Sequence, residues 1–135
     1  MTRWPAALLV LPALLVVSLT GCSVKSVATE TTEGLPERYI AGDNLFNGEP
    51  LALWADGGLA VVTFGSSSCP PVPTSISAPE PERIVVEFTP SPNDPCTADL
   101  APTTHRFDLP GDVQAVAGVT AELRFEQQTY SVPVE

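Results

Sequence analysis

The sequence has very few basic residues. Six Lys and Arg stand against sixteen Asp and Glu in a chain of 135 residues, and the formal net charge is −10. The basic residues are scattered singly from Arg3 to Arg124. Proteins that bind nucleic acids neutralise phosphates with clustered Lys and Arg, so this composition argues against a nucleic-acid partner. An anionic membrane would also repel the chain, and contact with a bilayer has to come from something other than charge.

Histidine and cysteine are also scarce, and this limits the chemistry of the chain. His105 is the only histidine, and Cys22, Cys69 and Cys96 are the only cysteines. A tetrahedral zinc site would lack ligands, so we predict no metal site. The segment 65–69 (GSSSC) departs from the nucleophile elbow G-x-S-x-G at its last position, and a serine triad would depend on His105 alone. We therefore predict no catalytic residue and no cofactor, with His105 packed in the core.

The one long apolar stretch lies at the N-terminus. Arg3 precedes an apolar run from Ala6 to Val17 that only Pro12 interrupts. This run is shorter than the roughly 20 residues that span a bilayer. We therefore predict that residues 1–21 form a signal peptide.

The apolar run ends in Leu19-Thr20-Gly21-Cys22, which resembles the lipobox of bacterial lipoproteins. The resemblance implies that Cys22 receives a diacylglyceryl group, with acyl chains such as palmitate, and becomes the first residue of the mature protein. Two acyl chains give stable anchoring, whereas one gives marginal binding. The expected location is the extracytoplasmic face of the cell membrane. A plain secretory signal with an incidental cysteine, or an uncleaved anchor, remains an alternative.

Composition divides the rest of the chain into two parts. Residues 22–37 are rich in Ser, Thr and Glu without an apolar period, which predicts a flexible tether after the lipidated Cys22. Residues 38–135 contain most of the fifteen prolines, and this density disfavours long helices. We predict an all-β domain here, a small antiparallel sandwich or barrel of about six to seven short strands.

Individual segments support the all-β prediction. Asp56-Gly57-Gly58 separates two apolar runs with residues that favour a hairpin turn. A helix is compatible only with Asp112 to Val119, where flanking glycines disfavour it. The predicted strands are Leu51–Ala55, Leu59–Phe64, Arg83–Thr89, Thr104–Leu109, Thr120–Glu126 and Thr129–Val134.

The cysteines left after lipidation predict a disulfide. With Cys22 assigned to the anchor, Cys69 and Cys96 form an isolated pair, and such pairs oxidise in exported proteins. Their spacing is not C-x-x-C, which disfavours a redox role. The run GSSSCPPVPTSI and the segment from Asp94 to Thr104 resemble a family of uncharacterised small lipoproteins from actinobacteria. That resemblance supports the two-cysteine framework and implies no activity.

Three functions are compatible with these features. The first is a non-enzymatic, membrane-tethered module that binds an envelope protein or another ligand, with Tyr39, Trp54 and Phe64 as candidate groove residues, although aromatics on strands more often belong to the core. The alternative is an extracytoplasmic hydrolase that acts on envelope material. The third is a structural or inhibitory protein whose Ser66–Ser68 or Asn93–Pro95 loop enters another protein's site.

Overall fold

The computed structural model describes Met1, residues 23–40 and residues 47–135. Within these residues the chain is almost entirely β, with eight strands in two four-stranded sheets and a single helix of four residues. The predicted all-β class is therefore confirmed. The predicted leader and Cys22 lie outside the described residues. The elements are β1 (Glu30–Glu33), α1 (Glu37–Ile40), β2 (Leu51–Ala55), β3 (Gly58–Gly65), β4 (Val72–Glu80), β5 (Arg83–Thr89), β6 (Ala101–Phe107), β7 (Thr120–Arg124) and β8 (Thr129–Pro133).

The chain passes from one sheet to the other through long connections. The first sheet has the order β1-β6-β3-β2 and is antiparallel throughout. The second has the order β4-β5-β7-β8, and its central pair, β5 and β7, is parallel. After β5 the chain crosses to the first sheet to form β6 and then returns for β7. Two neighbouring parallel strands require such a crossover connection. The β5–β7 pair therefore departs from the predicted antiparallel pattern.

The main core lies between the two sheets, where apolar side chains alternate along each strand. Ile84, Val86 and Phe88 of β5 face Leu59 and Val61 of β3, and all five are at most 5 % exposed. A second, smaller cluster lies on the outer face of the first sheet, where Leu35 and Tyr39 pack over strand residues. Both sides of the first sheet are therefore covered, which explains why β3 reads as a continuous apolar run.

The predicted hairpin at Asp56 is confirmed. Asp56 and Gly57 have φ values of 50° and 80° and join β2 to β3 as a two-residue turn. Two consecutive positive φ values characterise the turn type that matches the twist of paired strands. Gly58 is required for another reason: a Cβ atom there would lie 2.4 Å from the carbonyl oxygen of Phe107.

The segments just before β1 and just after β8 join the two sheets along their open sides. Near the N-terminus, the amide of Val27 donates to the carbonyl of Pro73 in β4, at 2.9 Å, just before the chain enters β1 of the other sheet. At the other end, the amide of Trp54 donates to the carbonyl of Glu135 at 2.8 Å, which attaches the segment after β8 to β2. The fold therefore lies between a sandwich and a closed barrel.

The predicted tether is wrong for Glu30–Glu33, which form the edge strand β1 against β6. All four residues are exposed, so no apolar pattern in the sequence marks this strand. Main-chain bonds hold it, together with the hydroxyl of Thr104, which donates to the carbonyl of Gly34 at 2.7 Å. The helix α1 follows, so the folded part begins before residue 38.

Strand β4 was also not predicted, because Pro73 and Pro79 lie within it. Proline removes a hydrogen-bond donor and is tolerated at sheet edges and bulges. β4 is an edge strand of the second sheet, and its register with β5 shifts between Pro73 and Ser75 and again after Ser77. In contrast, Asp112 to Val119 forms turns and no helix.

Candidate binding site

A cavity of about 480 Å³ opens at one end of the sandwich. Strand ends of both sheets and the loops that connect them form its wall, with the disulfide at one side. Its volume falls within the range of small-molecule sites, which often occupy the mouths of small β-barrels. The lining residues are Gly48, Pro50, Thr63, Phe64, Ser66, Cys69, Pro71, Phe88, Thr89, Pro90, Ser91, Cys96, Phe125, Glu126, Gln127, Gln128 and Tyr130.

Aromatic rings dominate the apolar part of this wall. The rings of Phe88 and Phe125 are stacked, with centroids 4.8 Å apart and planes at 12°. The Tyr130 ring stands edge-on to Phe125, with centroids 5.9 Å apart and planes at 86°. Such stacked and edge-to-face contacts stabilise aromatic pairs beyond the burial of their area. The three rings therefore form a connected platform at the cavity.

The strand pattern accounts for the position of each ring. Phe88 continues the inward face of β5 after Ile84 and Val86, one residue before the strand ends. Phe125 directly follows β7, where its amide donates to the carbonyl of Gln128 at 2.7 Å to close the turn into β8. Tyr130, in β8, lies opposite Leu123 of β7. Each ring thus continues the inner face of its sheet towards the open end of the sandwich, where Phe88 is still buried and Phe125 and Tyr130 are partly covered.

The disulfide prediction is confirmed, and the disulfide forms one side of the cavity. Cys69 and Cys96 are bonded, with their Cα atoms 5.4 Å apart. Cys69 lies in the loop from β3 to β4, and Cys96 lies in the loop from β5 to β6. Each loop passes from one sheet to the other, so the bond holds both crossings together.

A cluster of hydroxyl groups surrounds the disulfide. The Thr97 hydroxyl contacts that of Ser66 at 2.8 Å and donates to the carboxylate of Asp99. The amide of Ser67 donates to the same carboxylate at 3.1 Å. Hydrogen bonds from Ser67 and Thr97 lower the pKa of Asp99 to about 2. The Ser66–Ser68 loop is therefore tied to the loop from β5 to β6 and does not project alone.

His105 lies behind the aromatic platform and is buried, as predicted. It is 1 % exposed, and its ring contacts Phe88 edge-on with centroids 5.4 Å apart. Nε2 lies 3.1 Å from the Thr63 hydroxyl and Nδ1 lies 3.3 Å from the Thr31 hydroxyl. Burial lowers the pKa of His105 to about 4, so the ring is neutral near pH 7. Among the described residues its hydrogen-bond partners are these two threonines, and no hydrogen bond joins it to the serines of residues 66–68.

The three aromatic residues proposed for a groove do not line one site. Phe64 lines the cavity and also packs, like Tyr39, against the cluster on the outer face of the first sheet, whereas Trp54 packs against the main core. The sequence pattern missed the cavity rings because they share the inward face of core positions. Their places at strand ends, next to prolines or polar turns, were the available signal.

The described residues contain neither a cluster of metal ligands nor a helix suited to cross a membrane. No group of three His, Cys, Asp or Glu side chains there is arranged to hold a metal ion. None of the helices formed by residues 23–40 and 47–135 is long and apolar enough to cross a membrane. Comparison with other proteins found no match to this chain among protein-family models, curated proteins or solved structures.

Proposed function

We propose that the chain is an extracytoplasmic lipoprotein, anchored to the cell membrane through Cys22, whose β-domain is a non-enzymatic binding module. The lipobox Leu19-Thr20-Gly21-Cys22 supports the anchor. The aromatic cavity supports the binding role, because sites for small molecules are typically concave, largely apolar and furnished with a few polar groups. The cavity, with its rings Phe88, Phe125 and Tyr130, is the single observation that carries the binding proposal.

The polar groups at the cavity favour recognition over hydrolysis. Glycoside hydrolysis generally uses two carboxylic acids on opposite sides of the scissile bond. Glu126 is the one carboxylate among the described lining residues. The neighbouring polar side chains are amides and hydroxyls, such as those of Gln127 and Thr89, which orient a ligand without taking up or releasing protons near neutral pH.

The anchor and the domain are close in sequence, which bears on how the module is presented. The amide of Val27 already bonds to Pro73 of the folded domain, and only residues 23–26 separate it from Cys22. Five residue steps of fully extended chain span at most about 18 Å. We expect the domain to stay near the membrane surface. It would therefore bind its ligand at the cell envelope and not in the surrounding medium.

Replacement of Cys22 by alanine is expected to release the protein from the membrane. The native chain should fractionate with membranes and incorporate labelled palmitate, and Cys22→Ala should lose both properties because the thioether cannot form. Ser23→Ala is the matched control and should retain both. Subcellular fractionation with immunoblotting measures the outcome. If Cys22→Ala remained with the membranes, the lipid anchor would be rejected.

Loss of a cavity ring is expected to weaken the binding of an apolar probe. We would titrate the mature chain, residues 22–135 with Cys22→Ala, purified without detergent, with the neutral fluorophore N-phenyl-1-naphthylamine. Tyr130→Ala should reduce its affinity about fivefold, because about 1 kcal/mol of aromatic contact is lost. Val116→Ala removes an apolar side chain that is 51 % exposed and lies outside the cavity, so it should bind as the parent does. Equal affinities for both variants would refute the cavity as the binding site.

A further inference from the structure

We propose that the cavity selects a small soluble ligand with a positive charge on an apolar body, such as a quaternary ammonium group; this rests on the binding role proposed above. Two properties of the cavity lead to this ligand class. Its apolar wall is made largely of aromatic rings, and its charged lining is negative. The combination fits an organic cation better than a neutral or anionic molecule.

The aromatic wall supplies the first part of the argument. Ring faces carry partial negative charge, and cations bind within about 6 Å of a ring centroid, most strongly where water is excluded. Phe125 and Tyr130 both line the cavity and are in edge-to-face contact, with their planes at 86° to each other. Phe88 stacks on Phe125 and fixes that ring in place. A trimethylammonium group in the cavity would lie against this cluster of rings.

The charged residues supply the second part. Glu126 lines the cavity in the turn after β7, and no Lys, Arg or His is among the described lining residues. A carboxylate or phosphate ligand would therefore lack a counter-charge in the cavity, and the carboxylate of Glu126 would repel it. No ion pair joins Glu126 to a basic side chain within the described part of the chain, which leaves its carboxylate available to a ligand.

Arg124, the basic residue nearest to Glu126 in sequence, does not cancel the negative potential at the cavity. Arg124 lies beside Phe125, but its guanidinium is bound at 2.6 Å to Glu122 and at 3.5 Å to Glu87. Arg83 and Arg106 are likewise paired with carboxylates. With a net charge of −10 on the whole chain, the potential at the cavity mouth favours the approach of cations.

The test compares choline with 3,3-dimethylbutan-1-ol, which has the same shape but carbon in place of the ammonium nitrogen. Both are titrated into the mature chain, residues 22–135 with Cys22→Ala, and the ring-proton NMR signals of Phe125 and Tyr130 report binding. Choline is expected to bind about tenfold more tightly, because the neutral alcohol lacks the cation–π and carboxylate attractions. Added salt should weaken the binding of choline and leave that of the alcohol unchanged.

Three variants separate charge from shape. Glu126→Gln should weaken choline about threefold and leave the alcohol unchanged, since the exposed carboxylate contributes a modest attraction. Asp112→Asn, which removes one negative charge outside the cavity, is the matched control and should change neither affinity. Tyr130→Leu keeps an apolar wall without the aromatic face, and it should weaken choline more than the alcohol.

Two results would overturn the proposal. If the alcohol bound as tightly as choline, the cavity would select shape and apolarity without regard to charge. If neither compound bound, the organic-cation class would be rejected. Both results leave the binding role itself to be judged by the titration with N-phenyl-1-naphthylamine, so failure of the cation proposal and failure of the proposed function are distinguishable.

Discussion

Replacing Cys69 and Cys96 together by serine is expected to lower the free energy of unfolding by about 3 to 4 kcal/mol. The two cysteines are 27 residues apart in sequence. In the chain-entropy description, a crosslink over such a loop restricts the unfolded chain by about this amount. The total stability of a small domain is about 5 to 15 kcal/mol, so the loss is a large part of it. Urea denaturation measures the change directly, and the Tm should fall by more than about 10 °C.

The same variant is expected to weaken ligand binding before the domain unfolds. The loops that contain Cys69 and Cys96 both cross between the sheets, and both contribute to the cavity wall. Without the crosslink, the two loops are held together by hydrogen bonds of the Ser66–Ser68 loop with Thr97 and Asp99 and by the Asn93 side-chain amide, which donates to the carbonyl of Ser68 at 2.8 Å. These contacts are at the surface, where individual hydrogen bonds contribute about 1 kcal/mol each.

Ser67→Ala is the control for the disulfide prediction. It removes a hydroxyl from the same loop and keeps the disulfide, so it should change stability by less than about 1 kcal/mol. Reduction of the native chain should reproduce the effect of the double substitution. If the double variant lost less than about 1 kcal/mol, the loops would have to be held by contacts other than the disulfide, and the chain-entropy argument would fail here.

The strands that could be predicted are those in which burial imposes a period on the sequence. β5, Arg83–Thr89, was predicted with its observed bounds because Ile84, Val86 and Phe88 face the core. The β2–β3 hairpin was found for a second reason, since its turn needs positive φ and the sequence supplies Asp56-Gly57. In both cases a local requirement and a tertiary requirement select the same residues.

The strands that were missed lie at sheet edges, where these requirements do not apply. β1 is polar and exposed and is held by main-chain bonds, which any sequence can make. β4 contains prolines that would be excluded from a central strand. The parallel pairing of β5 with β7 was also inaccessible, because it depends on the route of the chain through the other sheet. Such long-range pairings leave no local pattern.

The site could be predicted only in part, for a related reason. The pairing of Cys69 with Cys96 followed from the scarcity of thiols, and the burial of His105 followed from strand alternation. The aromatic cavity did not follow, because Phe88 and Phe125 obey the same alternation as core residues. What distinguishes them is that they lie at the open end of the sandwich, where Phe125 is only partly covered although Phe88 remains buried. That property belongs to the assembled sandwich and not to either strand.

The domain is expected to lose about 3 kcal/mol of stability as the pH falls from about 6.5 to about 4, because His105 must remain neutral in the fold. Its pKa is about 4 in the folded state, where burial disfavours the charged ring, against an ordinary value of 6.5. Between these values the unfolded chain binds a proton that the folded chain does not. The contribution of neutral His105 is thus complete above pH 6.5 and is lost as the pH falls towards 4. Each unit of pKa difference corresponds to about 1.4 kcal/mol.

This pH dependence can be assigned to one residue because the chain has no other histidine. Asp99, whose pKa is lowered to about 2, loses its contribution only at more acidic pH, below its ordinary value of 3.8. The hydrogen bond from Arg124 also lowers the pKa of Glu122 below its ordinary value of 4.5, so urea denaturation at pH values from 5.5 to 7 isolates His105. His105→Gln retains a side chain that can bond to Thr63 and does not titrate, so its stability should be nearly constant over this range, whatever its absolute value. An equally steep loss in His105→Gln would show that other groups titrate there and would refute the assignment.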